Sequence, residues 1–474
     1  MNKQINIIIP GLVDDISKII LSYCIRLHSS KMYIELIPVS KIWYDEISKV
    51  ITSLQIYNNN NITNYMISKM TNIRSLNINN IIEDRSLFKL INIQQLVLGL
   101  NENISDISVS KLTTLKMLTL SYKSNISNNG ISTLINLNQL HISGSKLITH
   151  NGISNLTNIN KLSISNSLIE FSHISTLNKL VGLSFSIKSN EGYDLKLLTN
   201  LKTIKINNKR NIINANIYNL QLLTNLTTLN TNICSHIQYN SIWYLPNLRH
   251  LIISGRDITD YNISILTDLV ELNIYNRSYI SDESINVLTN LTKLFIYNTI
   301  ISDKSISKLT NLKILRINDN NNISDKSISN LTNLKFLSIK KTNNISDKSI
   351  SYLINLEELR LVNNNNITNI GILSLINLKM LCLYGNSCIT NDGVSKLINL
   401  FTLVLSRNSI ITDTGIITLI NLNNIVLFNN NNITDNGLIQ LINLKYIYVS
   451  NNSNLIGSKI DNNPNIKLIY TKND

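Results

Sequence analysis

The chain is poor in the residues that usually interrupt or cross-link a fold. Its 474 residues include only 4 prolines, 14 glycines and 4 cysteines. So few prolines and glycines exclude collagen-like chains and proline-rich linkers, and they leave asparagine as the main turn residue. The cysteines, Cys24, Cys234, Cys382 and Cys388, are too irregularly spaced for a disulfide framework or a zinc site. We therefore expect the protein to occupy a reducing compartment.

Long apolar runs and catalytic motifs are also missing. The first apolar stretch, Ile7 to Val13, is interrupted by Pro10 and Gly11, which argues against a signal peptide. No stretch approaches about 18 apolar residues, so we expect no membrane-spanning helix. The six histidines lack metal-ligand spacing, and no glycine-rich phosphate loop occurs. We expect a non-catalytic chain that needs no cofactor and no metal.

Charge and composition allow two interpretations of the surface. Basic residues exceed acidic ones by 43 to 29, which gives a net charge of +14 and could indicate a nucleic acid or an acidic membrane as partner. However, Ile, Asn, Lys and Tyr all have A/T-rich codons, so a base-composition bias in the gene would also raise lysine. Aromatic residues make up 6% of the chain, so aliphatic side chains must form nearly all of the core.

A repeat organises the chain from about residue 50 onward. The segment from Leu312 to Asn333 returns with nearly the same letters from Leu334, and the mean spacing of such segments is about 22 residues. Taking the first apolar residue of each unit as its anchor, twenty anchors follow: Ile51, Ile73, Ile93, Leu115, Leu137, Ile159, Leu180, Leu201, Leu226, Leu248, Leu269, Leu291, Leu312, Leu334, Leu356, Leu378, Leu400, Leu422, Leu444 and Ile466.

Each unit predicts a strand, a turn and a short helical segment. The pattern Leu-x-x-Leu-x-Ile/Leu alternates, which places the second and third apolar residues on one face of a strand. The following Ile-Ser/Thr-Asp-x-Ser/Gly-Ile-x-x-Leu offers Ser or Asp as a helix N-cap before apolar residues at helical spacing. Between them an asparagine recurs eight positions after the anchor, where its amide could satisfy the turn backbone and stack into a ladder: Asn320, Asn364, Asn386, Asn408, Asn430 and Asn452.

This pattern resembles the leucine-rich repeat, and the resemblance covers residues 49–474. It implies an α/β solenoid in which parallel strands line one concave sheet. Each repeat buries its apolar side only against its neighbours, so no single repeat folds alone. The segment Ile411 to Ile416, Ile-Thr-Asp-Thr-Gly-Ile, is similar to repeats in F-box leucine-rich-repeat proteins and also to those of bacterial surface proteins.

The first fifty residues lack the repeat and predict a small helical domain over residues 5–48. Apolar residues from Leu12 to Tyr23 follow helical spacing behind two aspartates, and a second apolar segment runs from Ile37 to Tyr44. Three segments together resemble an F-box: Leu-Val-Asp-Asp-Ile, Ile-Leu-Ser-Tyr and Val-Ser-Lys-Ile-Trp. The resemblance implies that the following residues contact the adaptor of a cullin ligase: Leu12, Ile16, Ile20, Leu21 and Trp43. Alternatively, these helices only cap the solenoid.

The strand residues that alternation points away from the core change character along the chain. At four and six positions after the anchor, the early repeats carry small residues such as Thr119, Ser163 and Ser186. The later repeats carry aromatic and basic residues, which dominate the energetics of protein interfaces. We predict that a target protein binds these residues: Tyr275, Phe295, Tyr297, Arg316, Lys340, Arg360 and Tyr384.

Two functional hypotheses follow from the two halves of the chain. In the first, the protein is the non-catalytic substrate receptor of an SCF-type ubiquitin ligase in the cytoplasm or nucleus, with the cullin adaptor and an unknown target protein as partners. The A/T-biased composition together with an F-box resembles proteins of large DNA viruses of amoebae or of A/T-rich protists. In the second, the chain is an interaction scaffold with no link to a ligase. Nucleic-acid binding is a third hypothesis, which the absence of an arginine-rich stripe disfavours.

Overall fold

A computed structural model describes the repeat region of the chain with short gaps. The described residues are 51–57, 63–79, 82–165, 167–187, 192–207, 217–231, 242, 244–254, 259–275, 279–386, 388–408, 410–450, 455, 460 and 465–470. The helical domain predicted over residues 5–48, and with it the five predicted adaptor contacts, lies outside them. Within the described part, residues up to Leu223 and residues from Thr224 belong to two compact units.

In the described residues of the first unit, eight strands form one parallel sheet and two shorter strands pair separately. The strands are Ser53–Tyr57 (β1), Ser75–Asn79 (β2), Gln95–Leu98 (β3), Met117–Leu120 (β4), Gln139–Ser143 (β5), Lys161–Ser165 (β6), Gly182–Ser186 (β7), Tyr193–Asp194 (β8), Thr203–Asn207 (β9) and Ile217–Tyr218 (β10). The helices are Asn64–Lys69 (α1), Asp106–Val109 (α2), Asn128–Ile131 (α3), His150–Ile153 (α4) and Phe171–Ile174 (α5), with 3-10 turns at Asp84–Ser86 and Leu220–Leu222. Strands β8 and β10 form the separate pair.

In the second unit, twelve strands pair in parallel in chain order. They are Thr228–Asn230 (β11), His250–Ser254 (β12), Glu271–Tyr275 (β13), Lys293–Tyr297 (β14), Ile314–Asn318 (β15), Phe336–Lys340 (β16), Glu358–Val362 (β17), Met380–Tyr384 (β18), Thr402–Ser406 (β19), Asn424–Phe428 (β20), Tyr446–Ser450 (β21) and Lys467–Tyr470 (β22). The helices are Asp260–Ile263 (α6), Asp282–Ile285 (α7), Asp303–Ile306 (α8), Asp325–Ile328 (α9), Asp347–Ile350 (α10), Asn369–Ile372 (α11), Asn391–Val394 (α12), Asp413–Ile416 (α13) and Asp435–Leu438 (α14). No helix in the described parts of either unit is long and apolar enough to cross a membrane.

The pairing register follows the sequence repeat, so equivalent residues of successive repeats lie side by side. Leu315 of β15 pairs with Leu337 of β16, and Ile317 pairs with Ile339. These four side chains are at most 1% exposed, whereas the residues between them are half-buried. The predicted alternation is therefore confirmed, and the solenoid core is a stack of aliphatic layers because a 22-residue step brings the same residue type back to the same place.

The predicted asparagine ladder is present wherever its members are described. Asn364 is fully buried and donates from Nδ2 to the carbonyl of Thr342 in the preceding repeat at 2.8 Å. Its Oδ1 accepts from the backbone N–H groups of Asn366 and Ile367, each at 3.2 Å. One side chain thus satisfies its own turn and one carbonyl of its neighbour. Asn320, Asn386, Asn408 and Asn430 make the same kinds of contact; Asn452 lies outside the described residues.

A second ladder runs through the helix starts, where serine and not aspartate is the N-cap among the two predicted alternatives. Ser346, not Asp347, is the N-cap of α10, and its side chain accepts from the Lys348 N–H. The aspartate instead reaches the next repeat, as Asp325 shows: its carboxylate accepts from the Ser346 N–H at 2.8 Å, from Ser346 Oγ at 2.6 Å and from Ser349 Oγ at 2.5 Å. Because the serine already caps the helix, the aspartate is free to tie two repeats together.

A helix was predicted for every repeat, and one segment of the first unit does not form it. Where the repeat anchored at Leu180 should return through a helix, the chain forms the short strand β8. Tyr193 of β8 is buried with Phe171 and Phe185, and its ring lies 5.2 Å from each of theirs. Three rings need more room than an aliphatic layer, so packing rather than local helix propensity determines the backbone here.

Candidate functional site

The side chains that point away from the core of β11–β22 form one surface, which we call the sheet face. All seven residues predicted to bind a target lie on it, and each is half-buried. Along β11 to β21 the sheet face takes the side chains two, four and six positions after the anchor, because successive side chains alternate across the sheet. In β22 the predicted anchor Ile466 is wrong by one residue, since Tyr446 pairs with Lys467 and not with Leu468. The structure therefore brings the predicted residues to one surface, while their role in binding stays a prediction.

An aromatic pair lies at one side of the sheet face. Tyr275 and Tyr297 occupy paired positions on β13 and β14, and their rings stack with centroids 4.5 Å apart at an angle of 11°. Burial raises the pKa of Tyr275, and its contact with the Tyr297 hydroxyl raises it further. The raised pKa keeps the Tyr275 hydroxyl neutral at physiological pH, and the pair presents a rigid apolar surface with polar ends.

Next to this pair, arginines and phenylalanines form a layered cluster. The guanidinium of Arg316 lies 4.7 Å from the ring centroid of Phe295 and 5.0 Å from that of Phe336. Arg360 covers the same Phe336 ring at 5.3 Å and lies 3.6 Å from a carboxylate oxygen of Glu358. Cation–π contacts on both faces of Phe336 hold these long side chains in place before any partner arrives.

The sequence analysis missed Phe336, although the same alternation points to it. Only the positions four and six after each anchor were considered, whereas Phe336 stands two positions after Leu334. That position lies on the same side of the sheet, and Phe336 pairs with Ile314 of β15 and Glu358 of β17. A complete list of alternating positions would have included it.

Lys340 and Tyr384 lie farther along the sheet face and are not part of the arginine cluster. Both occupy the position six after the anchor, with Val362 between them in the register. Tyr384 contacts Arg407 of the next repeat, whose guanidinium lies 5.6 Å from the ring centroid. The seven predicted residues therefore form three groups: a tyrosine pair, an arginine cluster with Lys340 beside it, and Tyr384 apart.

Two acidic residues of the sheet face are already neutralised by neighbours. Glu271 lies 3.3 Å from His250 and 3.7 Å from Lys293. Glu358 pairs with Arg360, as described above. By contrast, Arg316 and Lys340 form no ion pair with any residue that the structure describes. Among the residues that the structure describes, the sheet face thus carries two cations without acidic partners.

The reactive side chains in the described part of the chain do not assemble into a reaction centre. Burial raises the pKa of the Cys382 thiol, which disfavours the nucleophilic thiolate, although Arg360 nearby opposes the shift. His150 and His173 stack with ring centroids 3.9 Å apart in the first unit. No three His, Cys, Asp or Glu side chains gather as metal ligands within the described ranges. The sheet face is suited to binding, because it offers aromatic rings and cations to a partner.

A column of isoleucines is exposed on the turns that precede the strands. Each stands two positions before an anchor, and the exposed fractions run from 50% to 82% for Ile354, Ile376, Ile398, Ile420 and Ile442. The preceding repeats carry threonine at this position, as in Thr310 and Thr332. The sequence analysis did not consider this column, and a comparison of equivalent positions outside the strands would have revealed it.

Comparison with solved structures identifies the architecture. TLR13, solved in complex with the RNA ssRNA13, superposes with a TM-score of 0.59 at 21% identity, over 84% of this chain and 65% of that one. A leucine-rich-repeat protein of Leptospira interrogans is 20% identical over 86% of this chain and 98% of that one, with a TM-score of 0.43. Neither a family model nor a curated protein matches the sequence. The chain spans about two thirds of the length of TLR13, and it has the fold of a leucine-rich-repeat solenoid.

Proposed function

We propose that this protein is a non-catalytic interaction scaffold whose sheet face in the second unit binds a target protein. The observation that carries the proposal is the preformed cluster of Phe295, Arg316, Phe336 and Arg360 beside the stacked Tyr275 and Tyr297. Tyrosine and arginine dominate the energetics of protein interfaces, whereas a sheet face that meets only water needs neither.

The rigidity of the cluster favours binding for an energetic reason. Association costs about 0.5 to 1.5 kcal/mol for each long side chain that must be immobilised. Arg316 is already held between two rings, and Tyr297 is already stacked on Tyr275. Much of that ordering cost has therefore been met during folding, so contacts to these groups contribute more fully to affinity.

Affinity purification from a cell lysate with matched variants tests this proposal. Tyr297→Ala combined with Arg316→Ala should abolish recovery of the proteins that the unchanged chain captures reproducibly. Truncating one such residue at the centre of an interface lowers the binding free energy by at least about 2 kcal/mol, which is roughly thirtyfold in affinity. This double variant should retain the melting temperature, because both side chains lie on the sheet face and not in the core.

The matched control lies on the sheet of the first unit. Ser163 and Ser165 occupy the equivalent positions on β6, and Ser163→Ala with Ser165→Ala should leave both capture and melting temperature unchanged. If the serine pair mattered and the tyrosine–arginine pair did not, the binding surface would lie elsewhere on the chain.

A narrower form of the proposal links the scaffold to ubiquitin transfer. Residues 5–48, which resemble an F-box, would dock a cullin-ligase adaptor through Leu12, Ile16, Ile20, Leu21 and Trp43. The sheet face would then hold a target near the ubiquitin-carrying enzyme, in the cytoplasm or nucleus, and tethering would raise the effective concentration of its lysines. The support is the sequence resemblance alone.

Pull-down with a purified cullin adaptor separates this form from a plain scaffold. The full chain should capture the adaptor, and Ile20→Asp with Leu21→Asp should abolish capture while the repeats keep their circular dichroism spectrum. If residues 1–50 only cap the solenoid, the unchanged chain will not capture the adaptor, and the same variant will instead lower the stability of the first repeats. Capture that survives the substitution would also contradict the F-box assignment.

A further inference from the structure

We infer that the segment bound by the sheet face is an acidic stretch of a partner protein that presents two carboxylates, one to Arg316 and one to Lys340. This inference rests on the proposed scaffold function and specifies the chemistry of its target. It depends on which cations of the sheet face are paired, on how Arg316 is held, and on the spacing between the two cations.

The guanidinium of Arg316 has two aromatic neighbours and no acidic partner among the described residues. Its guanidinium lies over the rings of Phe295 and Phe336 at 4.7 and 5.0 Å. The Nε atom is buried without a hydrogen-bond partner, and no ion pair forms with any described residue. Arg316 is half-buried, so the guanidinium N–H groups that the rings do not cover remain for an acceptor. A carboxylate is the acceptor that matches the edge of a guanidinium with two parallel hydrogen bonds.

Lys340 is the second cation without an acidic partner on the same surface. It stands at the end of β16 and is half-buried, and no described carboxylate lies within ion-pair distance. Two other cations of this surface already form ion pairs: Lys293 lies 3.7 Å from Glu271, and Arg360 lies 3.6 Å from Glu358. Charge complementarity therefore points to a ligand with two negative groups at two defined places.

The sheet register gives the distance between those places. Arg316 pairs with Ser338 of the next strand, and Lys340 follows Ser338 by two residues. One strand spacing of about 4.8 Å and two residue steps of about 3.3 Å separate the two Cα atoms by about 8 Å. Acidic residues at i and i+2 of an extended segment, or at i and i+4 of a helix, are about 6 to 7 Å apart, and flexible side chains cover the difference.

The pattern of charge favours a protein carboxylate over the phosphates of a nucleic acid. A nucleic-acid interface neutralises many phosphates with a continuous basic stripe. On the described sheet face only Arg316 and Lys340 lack an acidic partner, and two separate cations do not make such a stripe. The adjacent tyrosine pair also offers an apolar surface to a side chain flanking the acidic residues.

Selection of displayed peptides on the full-length protein tests the inference. The probe is a library of random 12-residue peptides on phage, and the expected result is enrichment of sequences with two acidic residues at those spacings. Synthetic copies of the enriched peptides are then titrated by fluorescence anisotropy. Arg316→Gln combined with Lys340→Gln should weaken binding at least about tenfold, as should replacing either acidic residue of the peptide with its amide.

The matched control removes the same charge from the helix side of the same repeats. Lys326 and Lys348 are exposed on α9 and α10, and changing both to Gln lowers the net charge equally. This control should leave peptide affinity within about twofold. If both double variants weaken binding equally, only the overall charge matters and the inference is wrong.

Three further outcomes would overturn the inference without touching the proposed scaffold function. Enriched peptides that need Tyr297 but carry no excess of acidic residues would show that the target is recognised by apolar contact. A failure to enrich any peptide would show that no short acidic segment is sufficient. A single-stranded 12-nucleotide RNA that binds more tightly than the peptides, and requires Arg316 and Lys340, would assign the two cations to phosphates. The affinity purification described above decides the scaffold function independently of all three.

Discussion

Asn408 offers a test of how much one buried amide contributes to joining two repeats. Its side chain is 1% exposed and makes three hydrogen bonds to the backbone. Nδ2 donates to the Asn386 carbonyl at 3.0 Å, and Oδ1 accepts from the N–H groups of Ile410 at 3.1 Å and Ile411 at 3.0 Å. Replacing Asn408 with Ala leaves three backbone groups without these partners, and each group is wholly or partly buried.

The expected loss follows from the cost of an unsatisfied buried group. Each such group costs about 1 to 3 kcal/mol, so three cost about 3 kcal/mol at the low end of that range. Asn399 is the matched control because it belongs to the same type of residue and also bridges two repeats, through a 2.8 Å bond to the Ile376 carbonyl. It is exposed, so water replaces the lost bond and Asn399→Ala should cost less than about 1 kcal/mol.

Urea denaturation followed by circular dichroism, together with hydrogen exchange, measures the difference. Asn408→Ala should lower the unfolding midpoint clearly, and because contacts in a solenoid are local, exchange should accelerate mainly in the adjoining repeats. A loss of about 3 kcal/mol in local stability corresponds to roughly a hundredfold faster exchange at Ile410 and Ile411. Equal effects of the two substitutions would refute the claim that burial of the amide, and not merely its hydrogen bond, stabilises the stack.

Three other predictions address the aspartate ladder, the repeat period and the ion pairs just before the strands. Burial alone would raise the pKa of Asp325, but hydrogen bonds from serines of the next repeat outweigh it and lower the pKa. The contribution of Asp325 to stability should therefore be full above about pH 4 and fall as pH drops through the lowered pKa. Asp325→Asn should fold at neutral pH and show a shallower loss of stability toward acid pH in urea titrations. Deleting Leu334–Asn355 should leave a cooperative melt by circular dichroism, whereas deleting Leu334–Asn344 should not, because half a repeat puts a strand where a helix belongs. Hydrogen bonds from two flanking lysines lower the pKa of Glu357 to about 2, and Lys335→Gln should raise it toward its ordinary value in carbon-13 NMR titrations; an unchanged pKa would contradict the 2.7 Å contact between Lys335 and Glu357.

Periodicity was enough to predict the architecture of the repeat region. A step of about 22 residues dictates that equivalent residues lie side by side, and the observed register pairs Leu315 with Leu337 and Arg316 with Ser338 accordingly. Alternation along each strand then separates core from surface, because side chains on a strand point to opposite faces in turn. The buried asparagine column was predictable for the same reason: a polar residue that recurs at one point of a repeat must find its partner in the turn backbone.

The partner of each side chain was decided only by the tertiary structure. Asp325 stands where an aspartate often caps its own helix, yet its carboxylate binds Ser346 and Ser349 of the following repeat. Nothing in the local sequence distinguishes these two roles, because the choice depends on how far the next helix start lies from the carboxylate. That distance is a property of the stack and not of one repeat.

The contacts within the cluster on the sheet face were likewise decided only by the tertiary structure. The sequence alone placed Phe295, Arg316 and Arg360 on one face, but it did not show that Arg316 lies between two rings or that Phe336 is the ring shared by both arginines. Contacts across neighbouring strands depend on side-chain rotamers as well as on register, and long side chains reach diagonal as well as direct neighbours. Register follows from the period of the sequence, whereas rotamers follow from the packing of all neighbours at once. That packing is what leaves Arg316 and Lys340 without an acidic partner among the described residues.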